Sequence, residues 1–217
     1  MRPQLIPILP LILLTTACSS PTTPTAETPT KPAVQTTPPP VYRVKLATSK
    51  GDITIEARRE WAPLASDRFY ELTRTGFYND ARFFRVLRKF IAQFGVAADP
   101  KLMQLWNAKP PLMDDKRVLS NQRGTLSFAK VGPNSRRTQV FINLADNTKA
   151  LDSDGFTPFA KIVDGLPIAD ELYAKYGELE SRGGAGPDPT KLELMGNAYL
   201  IRLFGSLDYI KTAEILP

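Results

Sequence analysis

The chain has 217 residues with 28 Lys and Arg against 22 Asp and Glu, a net charge of +6, one cysteine, twenty prolines and no histidine. Without histidine and with Cys18 alone, it can hold neither a Ser-His-Asp nor a Cys-His nucleophile pair, no zinc site of histidines or several cysteines, and no internal disulfide. A hydrophobic share of 42% is ordinary for a globular protein, and the length allows one domain with a sizeable core.

Ten of the prolines fall in residues 1–40, whereas every glycine and every aromatic residue comes later. Residues 1–17 carry Arg2, an apolar run from Leu5 to Leu14, then Thr15-Thr16-Ala17. The run is shorter than the roughly 20 residues of a spanning helix and reads as an export signal. The Ala17-Cys18 junction that follows it resembles the lipobox of bacterial lipoproteins, with Thr15 where that family prefers Leu. The resemblance implies cleavage before Cys18 and lipid on its sulfur and on the new amino terminus. The alternatives are an ordinary secretory signal with an incidental Cys18, or an uncleaved anchor. Ser19 in place of Asp after the cysteine implies transfer to the outer membrane, facing the periplasm, in a bacterium with two membranes.

Residues 18–40 form a Pro/Thr-rich linker, with seven Pro and seven Thr in 19–40. Such a segment cannot bury enough apolar surface to offset its ordering entropy. It is expected to be an extended spacer of up to about 65 Å.

The expected globular domain covers 41–217, with 178–217 as a C-terminal helical and strand extension. Tyr42–Ala47 and Ile53–Ala57 alternate apolar and polar residues around Ser49-Lys50-Gly51-Asp52, a hairpin pattern. From Ala62 to Thr75, Leu64, Ala65, Phe69 and Leu72 make a helical apolar face with Pro63 in its first turn and Gly76 after its end. Further strands are expected at Phe83–Leu87, Phe90–Val96, Thr125–Ala129, Gln139–Asn143, Pro158–Val163 and Tyr209–Ile215, and helices near Ile168–Tyr176 and Lys191–Phe204. Many short strands with few helices indicate a mainly β barrel or sandwich.

Five segments stand out: Phe83-Phe84-Arg85-Val86-Leu87-Arg88-Lys89-Phe90-Ile91-Ala92-Gln93-Phe94-Gly95; Gly124–Lys130; Gly132-Pro133-Asn134-Ser135; Thr138–Asn143; and Leu151-Asp152 with Phe156–Lys161. In this order and spacing, over roughly residues 42–176, they resemble the cyclophilin family of peptidyl-prolyl cis/trans isomerases. The segments Asn197–Leu200 and Leu207–Lys211 are similar to the carboxyl end of bacterial cyclophilin-like proteins. The resemblance implies a closed eight-stranded antiparallel β-barrel capped by two helices. It also implies proline-containing polypeptides as substrates and no cofactor or metal.

Arg85 is the leading catalytic candidate, because a guanidinium in an apolar strand pattern beside Phe83 and Leu87 is costly unless it has a partner or a task. Rotation about X–Pro crosses an amide barrier of about 18–20 kcal/mol. In the twisted state the prolyl nitrogen gains a lone pair, which a directed Arg donor stabilises over the planar states. The reaction makes and breaks no bond, so it needs no general base.

By the family's motifs, Phe90, Ile91, Phe141 and Leu151 would grip the proline ring, with Phe90 counted in the catalytic set. Gln93 would hold Arg85 or the substrate carbonyl. The Lys130 backbone would pair with substrate, while Ala129, Gln139 and Phe156 border the groove. Phe84 and Phe156 replace histidines frequent in the family, and Phe94-Gly95 replaces two glycines. Ala150 stands where the family's drug-contacting Trp is found, so weak cyclosporin binding is expected.

Arg82, Arg85, Arg88, Lys89 and Arg136-Arg137 are expected to form a solvated basic rim rather than a nucleic-acid surface. The Gly183–Pro189 run lacks the Gly-Lys-Ser/Thr of a phosphate loop and is expected to be a flexible connector. The sequence therefore favours a monomeric, lipid-anchored, extracytoplasmic isomerase of exported proteins in the bacterial cell envelope. A non-catalytic X–Pro-binding module is the alternative, and an extension that docks on an envelope complex is a third reading.

Overall fold

A computed structural model describes residues 37–217. The expected export signal, Cys18 and most of the Pro/Thr-rich linker lie outside the described residues. Among the described residues there are eight strands: β1 (Val41–Thr48), β2 (Asp52–Arg58), β3 (Arg85–Leu87), β4 (Ile91–Phe94), β5 (Thr125–Phe128), β6 (Val140–Asn143), β7 (Pro158–Asp164) and β8 (Ile210–Ile215). All eight coincide with expected strands. In β1, Tyr42, Val44, Leu46 and Thr48 are buried while Val41 and Arg43 are exposed, the period of two that a half-covered strand requires.

The strands form one antiparallel sheet in the order β3-β4-β6-β5-β7-β2-β1-β8. Its two edges meet at an isolated bridge between Arg82 and Tyr209, with Phe83 N donating to Asp208 O and Ile210 N to Ala81 O. No continuous ladder joins β3 to β8 among the described residues. The expected closed barrel is thus corrected to a curled half-barrel. Its edge strand β3 has only three residues, and the chain before it leaves strand geometry, so a ladder has nothing to run along.

Among the described residues five α-helices accompany the sheet: α1 (Pro63–Arg74), α2 (Pro100–Asn107), α3 (Thr148–Leu151), α4 (Leu166–Asp170) and α5 (Pro189–Leu203). Helix α1 buries Ala65, Phe69 and Leu72 as expected, whereas Leu64 in its first turn is exposed. The helix expected over 168–176 stops at Asp170, and turns carry the chain onward. Helix α2 was not anticipated, although Asp99-Pro100 is a start signal: the Asp99 carboxylate accepts from Lys101 N and Pro100 occupies the first turn.

Helix α5 begins on the same device at Asp188-Pro189 and is kinked at Gly196, whose φ of 52° suits glycine. The kink lets Asn197 N bond Ala98 O at 3.0 Å, which ties α5 to the start of α2.

The sheet separates two apolar clusters. Val86, Ala92, Phe94, Leu126, Phe128, Val140 and Ile142 point to the main core with Phe69, Phe77, Tyr78 and Phe159. Residues alternating with them, Ile91 and Phe141, join Leu151, Phe90, Ala129 and Phe156 in a small cluster on the opposite face. Because the chain is irregular before β3, both Phe83 and Phe84 enter the main core, so Phe83 is not the face-mate of Arg85 that simple alternation suggests.

Candidate active site

Strand register assembles the site. Arg85 of β3 lies opposite Gln93 of β4, Gln93 opposite Phe141 of β6, and Phe141 opposite Ser127 of β5. Directly opposed residues share a face, so Arg85, Gln93 and Phe141 form a row across three strands. Leu87 and Ile91 form the adjacent pair. The row opens into a groove of about 800 Å³, bordered by all ten residues expected to act there: Arg85, Phe90, Ile91, Gln93, Ala129, Lys130, Gln139, Phe141, Leu151 and Phe156.

One end of the groove is apolar. Phe141 and Phe156 meet edge to face with centroids 5.5 Å apart, beside Ile91 and Leu151. Ala150 of α3 also lines this end. A buried amide network supports it. Asn143 Nδ2 donates to Thr125 Oγ1 at 3.0 Å, and Asn147 Nδ2 donates to Asn143 Oδ1 and Phe90 O, both at 2.8 Å. Asn121 Nδ2 donates to Asp152 Oδ1 at 2.7 Å and Phe156 O at 2.9 Å. These bonds fix the chain at Phe90, Leu151 and Phe156, three walls of the apolar end. Lys130 packs its ammonium toward the Phe156 ring and pairs with Asp114 at 3.1 Å.

The other end is polar and centred on Arg85, which is 7% exposed. Its NH1 donates to Gln93 Oε1 at 3.1 Å, while Nε and NH2 donate to the two carboxylate oxygens of Glu178, each at 2.6 Å. The Arg85 guanidinium holds the Glu178 carboxyl below the usual carboxylate range against the opposing effect of partial burial. The Leu179 N–H and Arg182 add to that lowering. Gln93 Nε2 donates onward to Gln139 Oε1 at 2.9 Å.

Glu178, which pairs with Arg85, was not among the expected site residues, nor were Met103, Asn107, Leu179, Ser181, Arg182 and Glu193, which line the groove. They come from α2 and from the segment that follows α4, 93 residues beyond Arg85 in the case of Glu178, and no local pattern announces such a contact. The Gly183–Pro189 run is tied down rather than a loose connector, since Gly184 N bonds Leu179 O and Gly186 N bonds Glu178 O. The expected basic rim is also dispersed. Arg85 pairs with Glu178, buried Arg136 with Asp114 and Asp115, Arg82 stacks on Tyr209, and Arg88 donates to Asp170 O.

Residues 43–187 match the family described as cyclophilin type peptidyl-prolyl cis-trans isomerase/CLD. The chain belongs to this family. As a cyclophilin-type peptidyl-prolyl cis-trans isomerase it is similar to peptidyl-prolyl cis-trans isomerase B of Escherichia coli (strain K12), at 32% identity over 159 residues, 70% of this chain and 94% of that relative. Human peptidyl-prolyl cis-trans isomerase-like 3 is 34% identical over 134 residues, 59% of this chain and 80% of that protein.

The fold is shared with a cyclophilin type peptidyl-prolyl cis-trans isomerase of Cryptosporidium parvum, whose crystal structure gives a TM-score of 0.56 at 21% identity over 82% of this chain and 98% of that one. Cyclophilin-type isomerases act on proline-containing polypeptides, and the groove's division into an apolar end and a guanidinium end suits that substrate class. The matched region ends at Pro187, so α5, with Glu193, and β8 lie beyond it.

Proposed function

We propose that the chain accelerates X–Pro rotation in exported proteins, with Arg85 stabilising the twisted amide while Phe90, Ile91, Phe141 and Leu151 hold the proline ring. The observation that carries this reading is a buried guanidinium at the edge of an apolar pocket. Among the described residues, three of its five N–H bonds are engaged, one on each nitrogen, which leaves one N–H on each terminal nitrogen for a substrate. A donor fixed before the reaction costs no reorganisation as the prolyl lone pair develops. Gln93 orients the guanidinium, and Ala129, Lys130, Gln139 and Phe156 border the substrate chain. The C. parvum isomerase was also crystallised in the presence of the dipeptide Ala-Pro, which makes an Ala-Pro peptide a fitting probe.

The place of action follows from the sequence alone. The Ala17-Cys18 junction and the Pro/Thr-rich linker support attachment by lipid at Cys18 in a bacterial envelope, facing an extracytoplasmic space, and we read the domain as a monomer. Activity is tested by exchange NMR, or a chymotrypsin-coupled assay, on an Ala-Pro peptide with the wild type and Arg85→Ala. A wild type no faster than the variant would leave only an X–Pro-binding module.

A further inference from the structure

We propose that the C-terminal segment completes the catalytic apparatus by supplying two positioning residues, Glu178 and Glu193, that fix the Arg85 guanidinium from opposite sides. This rests on Arg85 being the catalytic group.

Glu178 acts directly. Its carboxylate takes Nε and NH2 of Arg85 in a bidentate pair at 2.6 Å, a geometry that fixes the guanidinium plane as well as neutralising the cost of burying it. Glu178 is itself held. Its Oε1 also accepts from Leu179 N at 2.8 Å, and its carbonyl accepts from Gly186 N at 2.8 Å. A Cβ at Gly184 would overlap that same carbonyl, so position 184 admits no side chain without displacing Glu178. A carboxylate clamped at its side chain and its backbone is built to hold a partner still, unlike a latch that must swing away.

Glu193 acts through a relay. Arg85 NH1 donates to Gln93 Oε1, Gln93 Nε2 to Gln139 Oε1 at 2.9 Å, and Gln139 Nε2 to Glu193 Oε1 at 3.2 Å. A glutamine amide can satisfy a network in either of two orientations, so something must choose. An ionised carboxylate only accepts. Glu193 therefore requires Gln139 to present Nε2 to it and Oε1 to Gln93, the same arrangement that Arg85, which only donates, demands of Gln93, so the two ends hold the relay in one orientation. Asn107 Nδ2 donates to the other Glu193 oxygen at 3.3 Å and anchors the end of the chain. The Gly196 kink and the Asn197–Ala98 bond set α5 against α2, where Glu193 reaches both partners.

The test uses the full chain with an Ala-Pro peptide. Charge-assisted hydrogen bonds are the stronger kind, so partial loss of this orientation should lower kcat about tenfold in Glu178→Gln, with KM changed less than about threefold. Glu193→Leu should lower kcat about threefold, by releasing the far end of the relay so that only Arg85 itself still orients the two amides. In an Arg85→Ala background neither change should matter further. NMR gives a second readout, independent of turnover. The Arg85 Nε–H, assigned by its disappearance in Arg85→Lys, should exchange slowly in the wild type, and Glu178→Gln should shift it and speed its exchange.

A folded Glu178→Gln as fast as the wild type or faster, an equal fractional loss in the Arg85→Ala background, or a rapidly exchanging Arg85 Nε–H in the wild type would overturn the positioning role. Arg85→Ala as active as the wild type would instead defeat the assignment of Arg85 itself.

Discussion

Truncating Phe141 separates the pocket from the core. Its ring is 3% exposed, meets Phe156 edge to face, and packs with Ile91 and Leu151 in a cluster on the opposite sheet face from the main core. Burying each CH2 contributes about 0.8 kcal/mol, so a proline ring fully enclosed by the pocket gains about 2 kcal/mol. Phe141 is one wall among several, and Phe141→Ala should forfeit about half to two-thirds of that gain, roughly a tenfold fall in kcat/KM. The ring grips planar and twisted proline alike, so the fall should appear mainly in KM.

The stability cost of Phe141→Ala should lie near the low end for a buried Phe, about 3 kcal/mol, because the vacated space opens into the groove. Phe159→Ala is the control. That ring is fully buried between Phe69 and Phe128 in the main core, and its loss should cost about 4 kcal/mol or more while the folded fraction keeps its KM. Urea melts together with kcat and KM from exchange NMR on an Ala-Pro peptide make the comparison. A folded Phe141→Ala with unchanged KM and kcat/KM within twofold would refute the assignment of this cluster as the proline pocket.

Asn143→Ala should destabilise by about 2 kcal/mol, since it strands buried partners at Thr125 and Asn147, and calorimetry should show a lowered Tm. In pH titration, the chain has no histidine to titrate near neutrality, so kcat/KM should be flat from about pH 6 to 8. The folded Glu178 carboxyl titrates below its unfolded value, so its contribution is fully present above the ordinary range near pH 4.3 and is lost as pH falls through the lowered folded value. The Tm difference between wild type and Glu178→Gln should therefore shrink in acid, and a difference constant from pH 7 to about 3 would contradict the pairing. For the anchor, labelled palmitate should enter the wild type in a lipoprotein-processing host and be absent from Cys18→Ala; label that persists in the variant would remove Cys18 as the attachment point.

What the sequence makes legible follows the range of the forces involved. Local patterning locates all eight strands, since alternation marks β1 and β2 and short apolar runs between turns mark the others, three of which, β4, β5 and β6, are buried throughout. It cannot say whether the outer strands join, which depends on how the chain at a three-residue β3 meets that at β8, where the bridging residues Arg82 and Tyr209 are far apart in sequence. The apolar half of the site is also legible, since Ile91 and Phe141 lie in neighbouring strands, Phe90 directly precedes the first of them, and the three have the spacing of a known motif. The polar half is only partly so. Arg85 and Gln93 are cross-strand partners in a short hairpin, but Glu178 and Glu193 reach the groove through turns and a kinked helix whose course depends on tertiary packing. Two acidic residues in an amphipathic segment look like ordinary surface until their partners are placed.

The most direct test of the account is kcat for Arg85→Lys at saturating Ala-Pro peptide. Lysine keeps the charge but loses the planar fork that Glu178 and Gln93 hold, so it offers the prolyl nitrogen a mobile point charge in place of a fixed donor. The account predicts a fall in kcat of about a hundredfold, with KM within about threefold of the wild type, the pattern of an interaction made only in the twisted state. A Lys variant that retains wild-type kcat, or loses activity through KM alone, would contradict it.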